Sequence, residues 1–187
     1  LIADEPEKFC WPSFPESTVS SLCYTSGTTG NPKGVEYTHR SNFLHALVNN
    51  GKDALGVAAT DTLLMVVPMF HANSWGLAYS CPMVGAKLVL PGARLDGKSV
   101  YELLDREQVT MSAGVPTVWN MLLTHLREHG LKLPHLREVT IGGSAAPRSM
   151  IEAFDGEFGV CAVHGWGMTE MSPVGWCCRL KPWMKSL

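Results

Sequence analysis

Eleven residues from Tyr24 to Gly34, Tyr-Thr-Ser-Gly-Thr-Thr-Gly-Asn-Pro-Lys-Gly, carry three glycines, four aliphatic hydroxyls and one lysine. That combination suits a phosphate. Glycines let the backbone curl and present N–H groups, hydroxyls add donors, and the lysine supplies charge. The pattern is not a Walker A loop: counted from Gly27, its second glycine would fall at Pro32, and Lys33 is followed by Gly34 instead of a hydroxyl. Three later stretches also collect residues able to do chemistry. They are Pro68-Met-Phe-His-Ala-Asn-Ser-Trp-Gly76, Gly142-Gly-Ser-Ala-Ala-Pro147 and Gly165-Trp-Gly-Met-Thr-Glu170. The small residues of the second leave room for a flat ring. Each stretch also has a plainer reading. The first loop reads as a solvated turn, His71 as a hydrogen-bonded core histidine and Trp75 as core packing. Gly142 to Pro147 reads as a strand-to-helix turn, and Thr169-Glu170 as a surface turn.

The elements between these stretches must position them. Residues 1–18 mix acids, prolines and aromatics without period, as in a surface connection. The apolar run Val19-Ser-Ser-Leu-Cys-Tyr24 is a strand that breaks into the glycine-rich loop, and Val35-Glu-Tyr-Thr-His39 ends the hairpin leaving it. Ser41 caps a helix in which Phe43, Leu44, Leu47 and Val48 recur at helical spacing. Residues 61–68, a continuous apolar run ending in proline, suit a strand buried on both faces that delivers His71 and Trp75 from its carboxyl end. Residues 77–83 are helical and 86–91 form a strand. Ser99 caps a helix carrying Val100, Leu103 and Leu104, and residues 109–115 form another strand. Pro116 opens a helix over 117–128, with Val118, Met121, Leu122 and Leu126 in register and Gly130 as its stop. Residues 136–141 form the strand before Gly142, with Pro147 at the first position of the next helix. Residues 160–164 are the last strand, presenting Gly165 to Glu170. The tail from Trp176 has no ascribable chemistry. Met65, Met69, Met111, Met121 and Met150 read as core fillers. His39 and His45 fit no metal spacing and read as solvated or core residues. The alternation predicts an α/β fold with a largely parallel sheet flanked by helices and ligand at its carboxyl edge.

Composition narrows the class. A chain of 187 residues, 45% hydrophobic and 17% charged, is an ordinary globular protein sized for one domain. A net charge of −2 gives no electrostatic reason to expect nucleic acid or an anionic membrane. No run reaches the ~18 apolar residues of a membrane span. The six cysteines show no C-x-x-C spacing and read as reduced, mostly buried thiols of a cytoplasmic protein.

The loop Thr25–Gly34 resembles the phosphate loop of the adenylate-forming enzymes, the group of acyl-CoA synthetases, luciferases and peptide-synthetase adenylation domains. The three later stretches resemble that family's later motifs in order and approximate spacing, so the resemblance covers nearly the whole chain. It implies a reaction in which a carboxylate attacks the α-phosphate of ATP, pyrophosphate departs, and the thiol of coenzyme A takes the acyl group. It implies that Thr25, Ser26, Gly27, Thr28, Thr29, Gly30 and Lys33 cradle the phosphates, and that His71 lies beside the α-phosphate and the bound carboxylate. Trp75 would gate the acyl tunnel, while Gly114 and Thr117 line its pocket. Gly143 and Ser144 would lie near adenine and ribose, His164 and Gly165 border adenine, and Trp166 packs on it. Thr169 would touch the α-phosphate, and Glu170 would hold Mg²⁺ with Thr25 and waters completing the shell. Lys33, His71, Thr169 and Glu170 are then the catalytic set.

His71 occupies the position where amino-acid-activating domains of the family usually carry aspartate, which favours a plain carboxylic acid. The wording around His71 and Gly165–Pro173 resembles most the medium- and long-chain fatty acyl ligases and the methylthiopropionate ligases. Family members run to several hundred residues, and their ribose-binding aspartate, hinge and catalytic C-terminal lysine have no counterpart here. The resemblance therefore implies that residues 1–187 are part of the larger N-terminal domain, without the C-terminal domain and with little ligase activity alone. The implied partners are a small carboxylic acid, ATP and coenzyme A, with no nucleic acid and no membrane segment; a homodimer is among the assemblies left open. Two other readings stand beside this one: a non-catalytic nucleotide-binding module, and an amino-acid-activating domain.

Overall fold

A computed structural model describes residues 4–6, 8–25, 30–181 and 183–184. Its centre is a six-stranded sheet in the order β4-β3-β5-β6-β7-β8. The strands are β3 (Thr62–Met65), β4 (Lys87–Val89), β5 (Met111–Gly114), β6 (Glu138–Ile141), β7 (Cys161–Gly167) and β8 (Val174–Cys178). The first five run parallel, and β8 closes the edge antiparallel to β7. A separate antiparallel hairpin pairs β1 (Val19–Tyr24) with β2 (Gly34–Thr38).

The continuous apolar run of β3 follows from its place between β4 and β5. Side chains alternate across a strand, so Leu64 and Val66 enter one core cluster while Leu63, Met65 and Val67 enter the other. The first face is covered by α4 (Gly97–Arg106) and α5 (Pro116–His129), whose Val100, Leu104, Val118, Trp119, Leu122 and Leu126 pack with Val139 and Ile141 of β6. On the second face Leu77 and Cys81 of α3 (Leu77–Val84) pack with Trp75, Met111 and Ala113. A short helix, α6 (Arg148–Glu152), runs into a π-helical turn, Ala153–Phe158, before β7.

Several boundaries differ from the sequence expectation. Thr38, not Ser41, caps α1 (His39–Asn49): its hydroxyl accepts the Ser41 N–H, and the Ser41 hydroxyl accepts the Thr38 N–H in return. This is a capping box with serine in the third helical position. Asp96, three residues before Ser99, caps α4 by accepting the Ser99 N–H at 3.0 Å. Pro147 stands at the cap of α6, one residue outside it, with ψ 136°. Residues 160–164 are not the last strand, because β7 continues to Gly167 and β8 follows it. Met69 and Met121 are exposed, whereas Met65, Met111 and Met150 are buried as expected. Cys23 and Cys81 are buried, Cys177 is half-buried, and Cys10, Cys161 and Cys178 are exposed.

The largest reversal is α1. Phe43, Leu44, Leu47 and Val48 face outward, and the helix buries Asn42, His45, Ala46 and Asn49. Burying amide and imidazole groups is costly unless they are hydrogen-bonded. Here each of the polar three has a partner on the hairpin or on the segments after β3 and β7.

Candidate functional site

The carboxyl ends of β3, β6 and β7 and the start of β8 converge on a cavity of about 180 Å³. His71, Trp75, Gly143, Gly165, Trp166 and Thr169 border it, together with Leu55, Thr140, Val174 and Cys177. A crevice at the carboxyl edge of a parallel sheet is where open α/β folds bind ligands.

The wall carrying His71 and Trp75 is unusual backbone. After His71, the turn α2 (Ala72–Trp75) is left-handed, with φ of 43°, 43°, 55° and 55° at Ala72, Asn73, Ser74 and Trp75. Each non-glycine residue in that region costs roughly 1–2 kcal/mol, so the surroundings must hold it. The buried Ser74 hydroxyl donates to the Val67 carbonyl at 2.6 Å, and Ser21 of the hairpin donates to Asn73 Oδ1 at 2.7 Å. Asn49 Nδ2 donates to the Trp75 carbonyl at 3.1 Å. Sparsely populated conformations over-determined in this way cluster at ligand sites. The result buries the Trp75 indole against the end of β6: a Cβ on Gly142 would stand 3.0 Å from the ring and 3.1 Å from the Gly165 carbonyl.

The opposite wall continues β7 through Gly165, Trp166 and Gly167 into the 3₁₀ turn Thr169–Met171. The hairpin reaches this turn directly: buried Tyr37 donates its phenol to the Thr169 carbonyl at 2.5 Å. Burial first, then negative charge from Cys23 and Glu170, raises the Tyr37 pKa to about 12, so the phenol stays a donor. At the hairpin tip the Thr25 N–H donates to the Lys33 carbonyl at 2.9 Å, closing the neck of the glycine-rich loop. Ser26, Gly27, Thr28 and Thr29 lie outside the described residues. Gly30 and Lys33 are exposed.

Not every expected residue meets at the cavity. Ser144 and Glu170 are exposed beside it, and His164 turns its ring toward Trp176, 5.9 Å away. Gly114 and Thr117 do not border it. Gly114 is buried beneath Trp119, whose indole N–H donates to the Gly114 carbonyl at 3.1 Å, and Thr117 is exposed on the first turn of α5. Cys177 lay in the tail from Trp176 that had no ascribed chemistry, Val174 was singled out by no motif, and nothing in their spacing signals the β8 edge. Leu55 enters from the loop after α1, held by Arg179, which donates to the Ala54 and Leu55 carbonyls while pairing with Glu138.

The donor set bears on the implied cation. Among the described residues no cluster of three or more histidine, cysteine, aspartate or glutamate side chains could hold a metal. Glu170 is solvent-facing and joins no ion pair among the described residues. One solvent-facing carboxylate fits Mg²⁺, which keeps several waters and binds through one or two carboxylates plus substrate phosphates.

A parallel sheet with this loop and this carboxyl-edge cavity defines a nucleotide-binding α/β domain. Residues 3–186 match the AMP-binding enzyme family, and the chain belongs to it. It is 52% identical over 175 residues to a 3-methylmercaptopropionyl-CoA ligase of Ruegeria lacuscaerulensis, covering 94% of this chain and 32% of that protein. It is 53% identical, with the same coverage, to a medium-chain-fatty-acid–CoA ligase of Ectopseudomonas oleovorans. Among solved structures, O-succinylbenzoate coenzyme A synthetase of Bacillus subtilis in complex with ATP and magnesium ion superposes with a TM-score of 0.78 at 28% identity, over 92% of this chain and 34% of that one. The chain thus spans about a third of the length of the curated relatives it matches.

Proposed function

We propose that residues 1–187 are part of the N-terminal domain of an AMP-forming acyl-CoA ligase that activates a medium- or long-chain fatty acid or a methylthio-substituted acid. The observation that carries this reading is the Tyr37–Thr169 bond, which brings the phosphate-loop hairpin to the turn beside the cavity bearing His71 and Trp75. Phosphates held by the loop and an acid held in the cavity would then meet beside Thr169.

A carboxylate is a poor acyl donor because its leaving group would be oxide. Attack of its oxygen on the α-phosphate of ATP, with departure of pyrophosphate, gives a mixed anhydride open to a thiol. Positioning and electrostatic stabilisation dominate phosphoryl-type transfers. Lys33 would neutralise phosphate charge, His71 would orient the carboxylate, and Thr169 would donate to the α-phosphate. Thr25, Ser26, Gly27, Thr28, Thr29 and Gly30 would cradle the remaining phosphates, with Gly143, Ser144, His164, Gly165 and Trp166 around the nucleoside. Glu170 and Thr25 would hold Mg²⁺, whose charge would offset that of the phosphate oxygens. Trp75 borders the cavity proposed to take the acid, which supports a gating role. Coenzyme A as acyl acceptor is supported by the names of the similar ligases.

No carboxylate borders the cavity among the described residues, so an α-ammonium group would find no countercharge there. This favours a plain acid over an amino acid. Gly114 and Thr117 stay outside the proposed acid site.

Carboxylate-dependent ATP–pyrophosphate exchange by the full-length protein, across short, medium, long and methylthio acids and amino acids, tests the reading. Exchange with fatty or methylthio acids is expected. ATP binding without exchange for any acid would replace this reading with a nucleotide-binding module, and response to amino acids alone would replace it with an amino-acid-activating domain.

A further inference from the structure

We propose that His45 is a positioning residue: its neutral ring ties the left-handed turn carrying His71 and Trp75 to the strand that follows Thr169 and Glu170. The role rests on the ligase reading above, but the contacts that suggest it do not. His45 lies on the inward polar face of α1, 8% exposed. Its Nε2 accepts the Val174 N–H at 3.0 Å, joining segments 129 residues apart. The other edge of the ring lies against Gly76, which caps the turn: a Cβ there, at φ +76°, would stand 2.5 Å from His45 Nδ1 and Cε1. One helical turn along, Asn49 holds the Trp75 carbonyl.

Trp75 and Val174 both border the cavity. A single side chain thus bridges two of its walls, and His71, at the head of the turn, moves with one of them. Only a ring nitrogen bearing a lone pair can accept from Val174, so the bond requires the neutral tautomer with its proton on Nδ1. Without an acceptor, a half-buried backbone N–H is stranded where the loop carrying Thr169 and Glu170 rejoins the sheet. The two walls would then lose their common reference. A misplacement of that kind costs rate in a reaction that depends on alignment.

The test uses the full-length protein with His45→Gln, whose amide oxygen can accept in place of Nε2, and His45→Leu, which fills the space without an acceptor. His45→Leu is expected to raise the KM for the acid and lower the exchange kcat, each by about tenfold, with a smaller change in the KM for ATP. His45→Gln is expected to stay within about threefold of wild type, the geometry of the bond being kept. A purely structural role would lower the melting temperature of His45→Leu while leaving the kinetics of its folded fraction unchanged, and that result would overturn the proposal. So would His45→Gln proving as impaired as His45→Leu at equal melting temperature. Wild-type exchange run alongside reports separately on the ligase reading. If wild type shows none, amide hydrogen exchange over residues 72–76 and 168–178 decides the point. Both segments protected in wild type and in His45→Gln but opened in His45→Leu support the link, and unchanged protection in His45→Leu overturns it.

Discussion

The phenol of Tyr37 donates to the carbonyl of Thr169 at 2.5 Å, closing a loop of 132 residues with one hydrogen bond. It ties the glycine-rich-loop hairpin directly to the turn that carries Glu170. Tyr37→Phe keeps the ring in its buried slot and removes only the donor. A net hydrogen bond contributes about 1 kcal/mol, so the variant should lose about that much stability. The functional effect should fall on the nucleotide: we expect the KM for ATP to rise severalfold with little change in the KM for the acid. Urea titration and exchange kinetics on the full-length protein read both. An unchanged KM for ATP would mean the hairpin is positioned without Tyr37.

Trp75 and Gly142 make a second prediction about the acid. A methyl at position 142 would stand 3.0 Å from the indole and 3.1 Å from the Gly165 carbonyl, and Gly142 is not at positive φ. The backbone therefore tolerates alanine, and the indole must move by a few tenths of an ångström. We expect Gly142→Ala to displace Trp75 into the cavity, raising the KM for long acids more than for short ones. Gly156→Ala is the control, since a Cβ there meets nothing within 4 Å. It should leave kinetics unchanged. Equal KM shifts for all chain lengths in Gly142→Ala would remove Trp75 from the acyl path.

How much of this was readable beforehand depended on whether the cause was local. The run at β3 showed itself because both its faces are buried, and α5 because Pro116 starts it and Gly130 stops it. The His71 and Thr169 stretches stood out because polar residues and glycine interrupt the apolar pattern there, and residues of both line the cavity. The inner face of α1 was not. Periodicity reveals a face but not which side is inward, and Phe43, Leu44, Leu47 and Val48 formed the more apolar one. Asn42 Nδ2, His45 Nε2 and Asn49 Nδ2 are bonded inside by partners 22, 129 and 26 residues away, although Asn49 Oδ1 is left without one. No window of sequence contains those partners. The same applies to β8, whose pairing with β7 shifts register at Trp166 and Gly167 and so breaks the alternation that would announce a strand.

Lys33 separates charge from architecture. Its side chain is exposed at the hairpin tip, while its carbonyl closes the loop neck with the Thr25 N–H at 2.9 Å. Lys33→Ala keeps that backbone bond. Exposed substitutions usually alter stability by less than about 0.5 kcal/mol, so folding should be unaffected. Loss of the ammonium should lower ATP–pyrophosphate exchange by tenfold or more, the range of a lost charge-assisted contact to phosphate of about 1.5–3 kcal/mol. Wild-type exchange by this variant would take Lys33 out of the reaction.

His45 makes the last prediction, through pH. Burial lowers its pKa from 6.5 to about 4. Above pH 6.5 the ring is neutral in both folded and unfolded chains and contributes no pH dependence. Below it the unfolded chain binds a proton that the folded chain refuses, so stability falls with decreasing pH until the folded ring titrates near pH 4. The accumulated loss is about 2 kcal/mol at pH 5 and approaches about 3 kcal/mol below pH 4. Asp61, held below the ordinary carboxylate range by hydrogen bonds from Arg137, Ala58 and Thr110 that outweigh its burial, also loses stability on acidification. The comparison must therefore be a difference. His45→Gln has no proton to bind at that position and leaves Asp61 untouched. Its stability relative to wild type should improve by about 2 kcal/mol between pH 7 and pH 5, read as a pH-dependent shift in urea midpoint. Parallel pH profiles for the two proteins would mean that the ring titrates as it does in the unfolded chain, and that its bond to Val174 does not depend on the neutral form.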